Sequence, residues 1–205
     1  KLENYFNNLR YFVLNFKKTK FSNNNKLFLL SGGLIILTLS YFLLPTFYNK
    51  DMIQSEIKNQ IQKKYDVKIK FNEPIKYGLL PKPHFVAKNL SILRNEKEIA
   101  IVKNFKVFLD VENFFKLDSV EIKDLILNKA DFKIYQKDLN FFSDLLKTEP
   151  NENKIVIKDS NIFFKDKNEE VLFINKIYES KFFYDPNRLA NILLAKNKIF
   201  NIPFT

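Results

Sequence analysis

The strongest pattern in the chain is an uncharged apolar run from Leu27 to Tyr48, bracketed by Lys26 and Lys50. As a helix rising 1.5 Å per residue, its 22 residues extend about 33 Å, enough to cross the hydrocarbon core of a bilayer. Its C-terminal end carries the aromatic residues typical of a membrane interface. We predict one transmembrane helix over 27–48. A buried core helix and a cleaved signal peptide fit less well, because the run is charge-free and long.

Beyond the membrane the apolar period changes twice. Ile53, Ile57 and Ile61 recur every fourth residue, which predicts a short amphipathic helix over 51–65. From Val67 apolar and polar residues alternate, as they do in half-buried strands. The same alternation recurs in three later segments, Phe105–Leu109, Ala130–Ile134 and Ile155–Ile157. We therefore predict a mainly β domain over 66–205.

Other segments interrupt the predicted strands. Pro74–Pro83 is rich in proline and predicts a loop, and Glu112–Lys116 predicts a helical turn. Asp138–Lys147 predicts a helix with Asp138 as its N-cap, followed by a polar loop over Thr148–Asn153. The predicted apolar face of this helix consists of Leu139, Phe142, Leu145 and Leu146.

A unit of eight residues occurs three times, each start 35 residues after the last. The units are Phe85–Ile92, Val120–Leu127 and Ile155–Ile162. Each has two apolar residues on one face, then Lys followed by Asn or Asp, then a new apolar position. Because Asn and Asp tolerate bends, each unit predicts a strand, a kink or bulge at Asn89, Asp124 or Asp159, and a second strand. Chance similarity in a Lys-, Asn- and Ile-rich chain is the alternative explanation.

The distribution of charge along the chain predicts its orientation in the membrane and argues against one class of ligand. The net charge is +11, but residues 1–50 hold seven Lys/Arg and one acid, whereas residues 51–205 hold 27 Lys/Arg and 22 acids. The lysines before the span predict a cytoplasmic N-terminus and a C-terminal domain on the other side. The basic leader, 1–26, lies along the inner leaflet or forms a short cytoplasmic helix. The mixed charge of the domain argues against nucleic-acid binding.

The order of these motifs resembles the N-terminal, membrane-proximal region of the AsmA family. The resemblance covers residues 27–205 and depends on the spacing of several weak motifs after the membrane helix. Those motifs are Tyr77–Phe85, Ala87–Ile92, Val107–Lys116, Val120–Leu127 and Asp138–Leu146. The chain departs from the family pattern at Ala130, where Pro is common, and before Asp138, where Gly is common. We also expect the sequence to be part of a longer protein, since it does not begin with Met.

The resemblance implies a protein anchored in the inner membrane of a Gram-negative bacterium. Its periplasmic, antiparallel β-sheet is expected to be built of kinked strands and to curl into a hydrophobic groove. Family members are implicated in outer-membrane assembly and in moving phospholipids between membranes. The expected partners are therefore the membrane, phospholipid and envelope proteins, with no nucleic acid.

Residue chemistry suggests binding rather than catalysis. The chain has no Cys, one His (His84) and three Gly, so thiolate metal sites and glycine-rich phosphate loops are not expected. We predict a structural or solvent-exposed role for His84, no enzyme activity and no cofactor or metal.

Two functions remain open. One is a lipid groove that shields alkyl chains from water; the other is a membrane-tethered assembly factor that recruits partners by strand addition. The predicted groove-facing residues are Phe85, Ala87, Val120, Ile122, Phe132, Ile134, Ile155 and Ile157.

Overall fold

The computed structural model describes residues 23–114, 120–147, 153–200 and 202–205. The chain divides into two compact units, Lys1–Tyr41 and Phe42–Thr205. The predicted basic leader, 1–26, lies almost wholly outside the described residues. The predicted β domain lies within the second unit.

The first described helix, α1, runs from Asn23 to Leu43 and is followed by a 3-10 turn over Leu44–Phe47. The helix ends here because Pro45 disfavours helical geometry in the residue before it. Leu27–Phe47 is long and apolar enough to cross a membrane, and its large apolar side chains are mostly exposed. The structure therefore has a helix that could span a membrane where the sequence predicts one. Tyr48, however, is buried, and its hydroxyl donates to the Phe114 carbonyl oxygen at 2.6 Å.

The predicted amphipathic helix is α2, Lys50–Tyr65. Asn49 caps its N-terminus, since the Asn49 side-chain oxygen accepts hydrogen bonds from the backbone N–H groups of Asp51 and Met52. Asp66 ends it in a left-handed conformation. The isoleucine stripe, Ile53, Ile57 and Ile61, is buried, as the four-residue period predicts.

Nine strands within the described residues form one open, curved sheet. They are β1 (Lys68–Lys70), β2 (Lys76–Gly78), β3 (His84–Arg94), β4 (Lys97–Leu109), β5 (Ile122–Tyr135), β6 (Lys154–Lys165), β7 (Val171–Asp185), β8 (Ala190–Ile199) and β9 (Ile202–Phe204). Their order is β1-β3-β4-β5-β6-β7-β8-β9, with β2 also paired to β3. The fold is mainly β with few short helices, as the sequence predicts.

The sheet is mixed rather than wholly antiparallel, because β5 and β6 run parallel. A parallel pair needs a crossover instead of a tight turn, and helix α3, Leu139–Lys147, lies within that connection. Asp138 belongs to the 3-10 turn over Gln136–Asp138 that precedes α3.

One other prediction needs correction, and two more fall partly outside the described residues. The proline-rich segment contains a strand, β2, because Tyr77 and its neighbours pair with Phe85 on β3. The predicted helical turn near Glu112 begins as a 3-10 turn over Val111–Asn113, and its remainder falls at 115–119, outside the described residues. The predicted loop at Thr148–Asn153 is likewise described only at Asn153.

The repeat corresponds to kinks that the strands share. Asn89 in β3 and Asp159 in β6 have φ of 51° and 47°, the left-handed geometry expected there. The third kink differs, because the left-handed residue of β5 is Lys129, with φ of 56°, whereas Asp124 adjoins a register shift opposite Phe108 and Leu109. At each kink the alternation between the two faces of the sheet skips one residue, so the apolar side chains before and after the kink project from the same face.

Candidate apolar binding site on the sheet

One face of the sheet carries continuous rows of apolar residues. Residues directly opposite each other on neighbouring strands project from the same face. The register therefore defines what we call the cavity face, the face that carries Leu127 and Ile157. One row on it runs Ala87, Phe105, Leu127, Ile157, and a second runs Phe85, Val107, Leu125, Ile155, Phe182, Leu193.

An apolar cavity of about 250 Å³ opens on this face. Side chains from α2, β1, α3 and strands β3 to β7 line it, among them Ile61, Phe105, Leu127, Ile162 and Ile177. The lining offers no acid, base or thiol, and its one hydroxyl belongs to Tyr65. Such a site can shield alkyl groups from water.

The structure divides the eight predicted groove residues into two groups. Phe132, Ile134, Ile155 and Ile157 line the cavity. The other four are buried core residues outside its lining, namely Phe85, Ala87, Val120 and Ile122.

Helix α2 contacts the sheet at one of those four residues, Val120. Gln60 donates from its side-chain nitrogen to the carbonyl oxygen of Val120 at 2.6 Å, and the Lys64 ammonium donates to the side-chain oxygen of Asn153 at 2.5 Å. Ile61 lines the cavity beside Phe105. These contacts place the C-terminal half of α2 beside Val120, Asn153 and the cavity.

Helix α3 supplies another wall through Phe141, which lines the cavity. The guanidinium carbon of Arg94 lies 3.7 Å from the centre of the Phe141 ring, and Arg94 also pairs with Asp138 at 3.7 Å. A cation stacked on an aromatic ring stabilises that arrangement by about 0.5–1 kcal/mol where exposed and more where desolvated. Arg94 thus holds the start of α3 against the sheet. The predicted apolar face of α3 missed Phe141 and included Leu139, which is largely exposed.

Burial on the cavity face decreases towards β9. The rows are buried on β3 and β4 and half-buried at Ile155 and Ile157 on β6. Beyond the cavity the same face carries Leu193, Ile202 and Phe204, which are 49%, 67% and 42% exposed. The apolar surface therefore extends from a covered core, through the cavity, to an open strip.

The opposite face is more polar. The Glu98 carboxylate accepts hydrogen bonds from the Lys133 ammonium at 2.9 Å and the Ser91 hydroxyl at 2.8 Å. The Lys133 hydrogen bond, in particular, lowers the pKa of Glu98. Lys158 and Lys181 both pair with Glu179 nearby. The opposite face also carries apolar side chains such as Leu194, but these charged pairs distinguish it from the cavity lining, which contains no charged side chain.

Of the two roles predicted for His84, structural or solvent-exposed, the structure has the structural one. Its ring is 4% exposed, stacks on Phe108 with 5.1 Å between ring centres, and contacts the Lys82 carbonyl oxygen through Nδ1 at 2.7 Å. Among the described residues, no group of three or more His, Asp or Glu side chains is arranged to hold a metal ion.

Several lining residues were not among the predicted groove residues, including Ile61, Phe105, Ile162 and Ile177. Ile61 and Phe105 lie in segments whose apolar period was recognised, but no sequence pattern indicates which sheet face a helix covers. No model of a known protein family matches the chain, and no curated protein matches its sequence. Membership of the AsmA family therefore remains a prediction.

Proposed function

We propose that this chain is an inner-membrane-anchored protein of the AsmA type whose β-sheet binds the alkyl chains of phospholipids on the periplasmic side. In this proposal α1 is the anchor and the basic leader is cytoplasmic. The bound lipid is in transit to the outer membrane, or takes part in its assembly. The cavity on the apolar face is the observation that carries the proposal.

The size of the cavity limits what it takes. Its 250 Å³ exceeds the cavity of about 150 Å³ that can hold a benzene molecule and falls below the roughly 300–1,000 Å³ of sites that enclose a whole drug-sized ligand. It therefore suits a segment of one alkyl chain. The rest of that alkyl chain would lie along the open strip at Leu193, Ile202 and Phe204.

The energetics favour passive binding. Each CH₂ group removed from water contributes about 0.8 kcal/mol, so a segment of five groups contributes about 4 kcal/mol before the cost of ordering the chain. This free energy is relative to water, so the cavity offsets part of the cost of taking a lipid segment out of the bilayer.

Photo-crosslinking tests where the lipid binds. The full chain is reconstituted in nanodiscs with a phospholipid that carries a photoreactive diazirine in one acyl chain, and adducts are mapped by peptide mass spectrometry. We expect adducts on β5 and β6, around Phe132 and Ile157. Adducts confined to α1 would contradict the proposal, since any membrane anchor would give them.

Two adjacent leucines provide a matched pair of variants. Leu193 lies on the cavity face and Leu194 on the opposite face, and they are 49% and 56% exposed. Leu193→Glu places a charge on the lipid path and should reduce crosslinking severalfold. Leu194→Glu makes the same change on the other face and should leave it unchanged. Equal loss in both variants would indicate a general effect on the fold.

A second function is favoured by the edge of β8. Among the described residues, β9 pairs only with Asn197–Ile199, and the segment Ala190–Lys196 pairs with β7 alone. Such an edge can add a strand from a partner protein. Crosslinking that captures an envelope protein at β8, with no lipid adduct on β5 or β6, would favour an assembly factor instead.

A further inference from the structure

Two asparagines lie on the cavity face at the margin of the cavity. Asn175 on β7 lies directly opposite Ile162, and Asn197 on β8 lies directly opposite Ile177. Both isoleucines line the cavity, so both amides project from the cavity face. Asn175 is only 8% exposed.

The side-chain oxygens of both asparagines are buried and have no hydrogen-bond partner within the described part of the chain. An unsatisfied buried acceptor of this kind costs about 1–3 kcal/mol. Ser160, also buried on this face, differs because its hydroxyl accepts from the Ala130 N–H and donates to the Lys158 carbonyl oxygen. The asparagines therefore retain a hydrogen-bonding capacity that the fold does not use.

The two amides are close enough to act on one ligand group. Ile199 lies opposite Asn175, so Asn197, two residues away, is the diagonal neighbour of Asn175. Diagonal neighbours lie about 7–8 Å apart between Cα atoms, and their side chains lie somewhat closer. A single hydroxyl between them is within reach of either oxygen.

We propose that Asn175 and Asn197 form a polar subsite for a hydroxyl group carried on, or next to, the alkyl chain of the bound lipid. This inference rests on the proposed function, since the alkyl chain must occupy the cavity. Alkyl groups and ester oxygens have no hydrogen to donate, so the diester region of a diacyl phospholipid cannot satisfy the amide oxygens. A hydroxylated acyl chain, or the free glycerol hydroxyl of a lysolipid, can. The subsite therefore selects for hydroxyl-bearing lipids.

The experiment compares two fatty acids that differ by one hydroxyl. The full chain, held in an amphipathic polymer, is loaded with a fluorescent polyene fatty acid, which is displaced with stearic acid or with hydroxystearic acid. We expect hydroxystearic acid to displace the probe at an about fivefold to tenfold lower concentration, as one hydrogen bond to a buried acceptor predicts.

Asparagine-to-leucine variants locate the effect. Asn175→Leu and Asn197→Leu nearly preserve side-chain size, so they should bind stearic acid as before but lose the preference for hydroxystearic acid. Their melting temperatures should not fall, because an apolar group replaces an unpartnered amide. Asn128→Leu is the control: the Asn128 oxygen is also buried without a partner, but Asn128 follows Leu127 and projects from the opposite face. This variant should keep the preference.

The outcomes separate this inference from the proposed function. If neither fatty acid displaces the probe from the cavity, the proposed function fails. If both displace it equally, the cavity binds alkyl chains but the subsite does not exist, and bound water satisfies the amides. The melting temperatures give a third outcome. If Asn175→Leu and Asn197→Leu melt at lower temperatures than the unmodified chain and Asn128→Leu does not, the amides stabilise the fold and the inference is overturned.

Discussion

The hydroxyl of Ser160 accepts a hydrogen bond from the backbone N–H of Ala130 at 2.9 Å. Lys129 and Asp159, the residues just before these two, are the left-handed positions of β5 and β6. The pairing of the two strands is interrupted there, between the pairs Asn128–Lys158 and Asp131–Asn161. A serine side chain thus replaces a ladder hydrogen bond that the kink removes.

Ser160→Ala should therefore destabilise the sheet. Ala130 and Ser160 are fully buried, so the variant leaves the Ala130 N–H unsatisfied, which costs about 1–3 kcal/mol of unfolding free energy. Thermal unfolding followed by circular dichroism measures the loss. Ser91→Ala is the control, because Ser91 donates to Glu98 on the half-buried opposite face and its removal should cost less than about 1 kcal/mol. Equal shifts would refute the role of Ser160 at the kink.

Gly78→Ala should destabilise the pairing of β2 with β3. A Cβ at position 78 would lie 2.9 Å from two atoms of the buried His84 ring, which is held by stacking on Phe108. We expect a loss of about 1–3 kcal/mol. Gly33→Ala is a suitable control, since its added Cβ meets nothing within 4 Å. If the ring clash is the cause, Gly78→Ala should cost much less in a His84→Ala background.

Tyr77 should resist ionisation. Burial, followed by the neighbouring Tyr48, raises the pKa of Tyr77 to about 12, and its hydroxyl donates to the Phe42 carbonyl oxygen at 2.5 Å. Phe42 is among the last residues of α1, whose carbonyl groups lack partners within the helix. Ultraviolet titration should show tyrosine absorbance that appears only near pH 12 and disappears in Tyr77→Phe.

The same raised pKa predicts a pH dependence of stability. The folded chain holds the proton of Tyr77 more tightly than the unfolded chain, whose tyrosine pKa is about 10. The contribution of Tyr77 is therefore complete below pH 10 and lost as the pH rises towards 12. Tyr77→Phe should cost about 1 kcal/mol at neutral pH and flatten this alkaline loss. Tyr178→Phe, at a more exposed site, should cost less at neutral pH.

Arg94→Ala should loosen the start of α3. The variant removes both the stacking on Phe141 and the pairing with Asp138, so amide hydrogens over 139–144 should exchange about fivefold to tenfold faster, equivalent to about 1 kcal/mol. Lys68→Ala, which removes an exposed ion pair with Glu96, should leave that exchange unchanged. Unaltered exchange in Arg94→Ala would show that other contacts hold α3.

The sequence predicted the elements better than their arrangement. The four-residue period of Ile53, Ile57 and Ile61 and the alternation around Phe105 and Ile157 are local, and the structure has α2, β4 and β6 there. The kinks at Asn89 and Asp159 were also predictable, because Asn and Asp tolerate positive φ. The kink at Lys129 was not, because nothing local favours that geometry in lysine.

The candidate site was only half predictable from sequence. Alternation requires that Phe85 and Ile157 each project from an apolar face, and it is satisfied equally by a covered core and by an open groove. Phe85 became core, with 5.6 Å between the centres of its ring and the Tyr77 ring, whereas Ile157 became part of a cavity. Which of these environments a strand residue enters depends on contacts between distant segments, and no local pattern encodes those contacts.

The apolar run from Leu27 onward, the amphipathic helix and the alternating strands follow from the sequence by itself, because each reflects the spacing of neighbouring residues. The parallel pairing of β5 with β6, the cavity and the two unpartnered asparagines were decided only by tertiary structure. They depend on which distant strands meet, and in what register, and no local pattern encodes that.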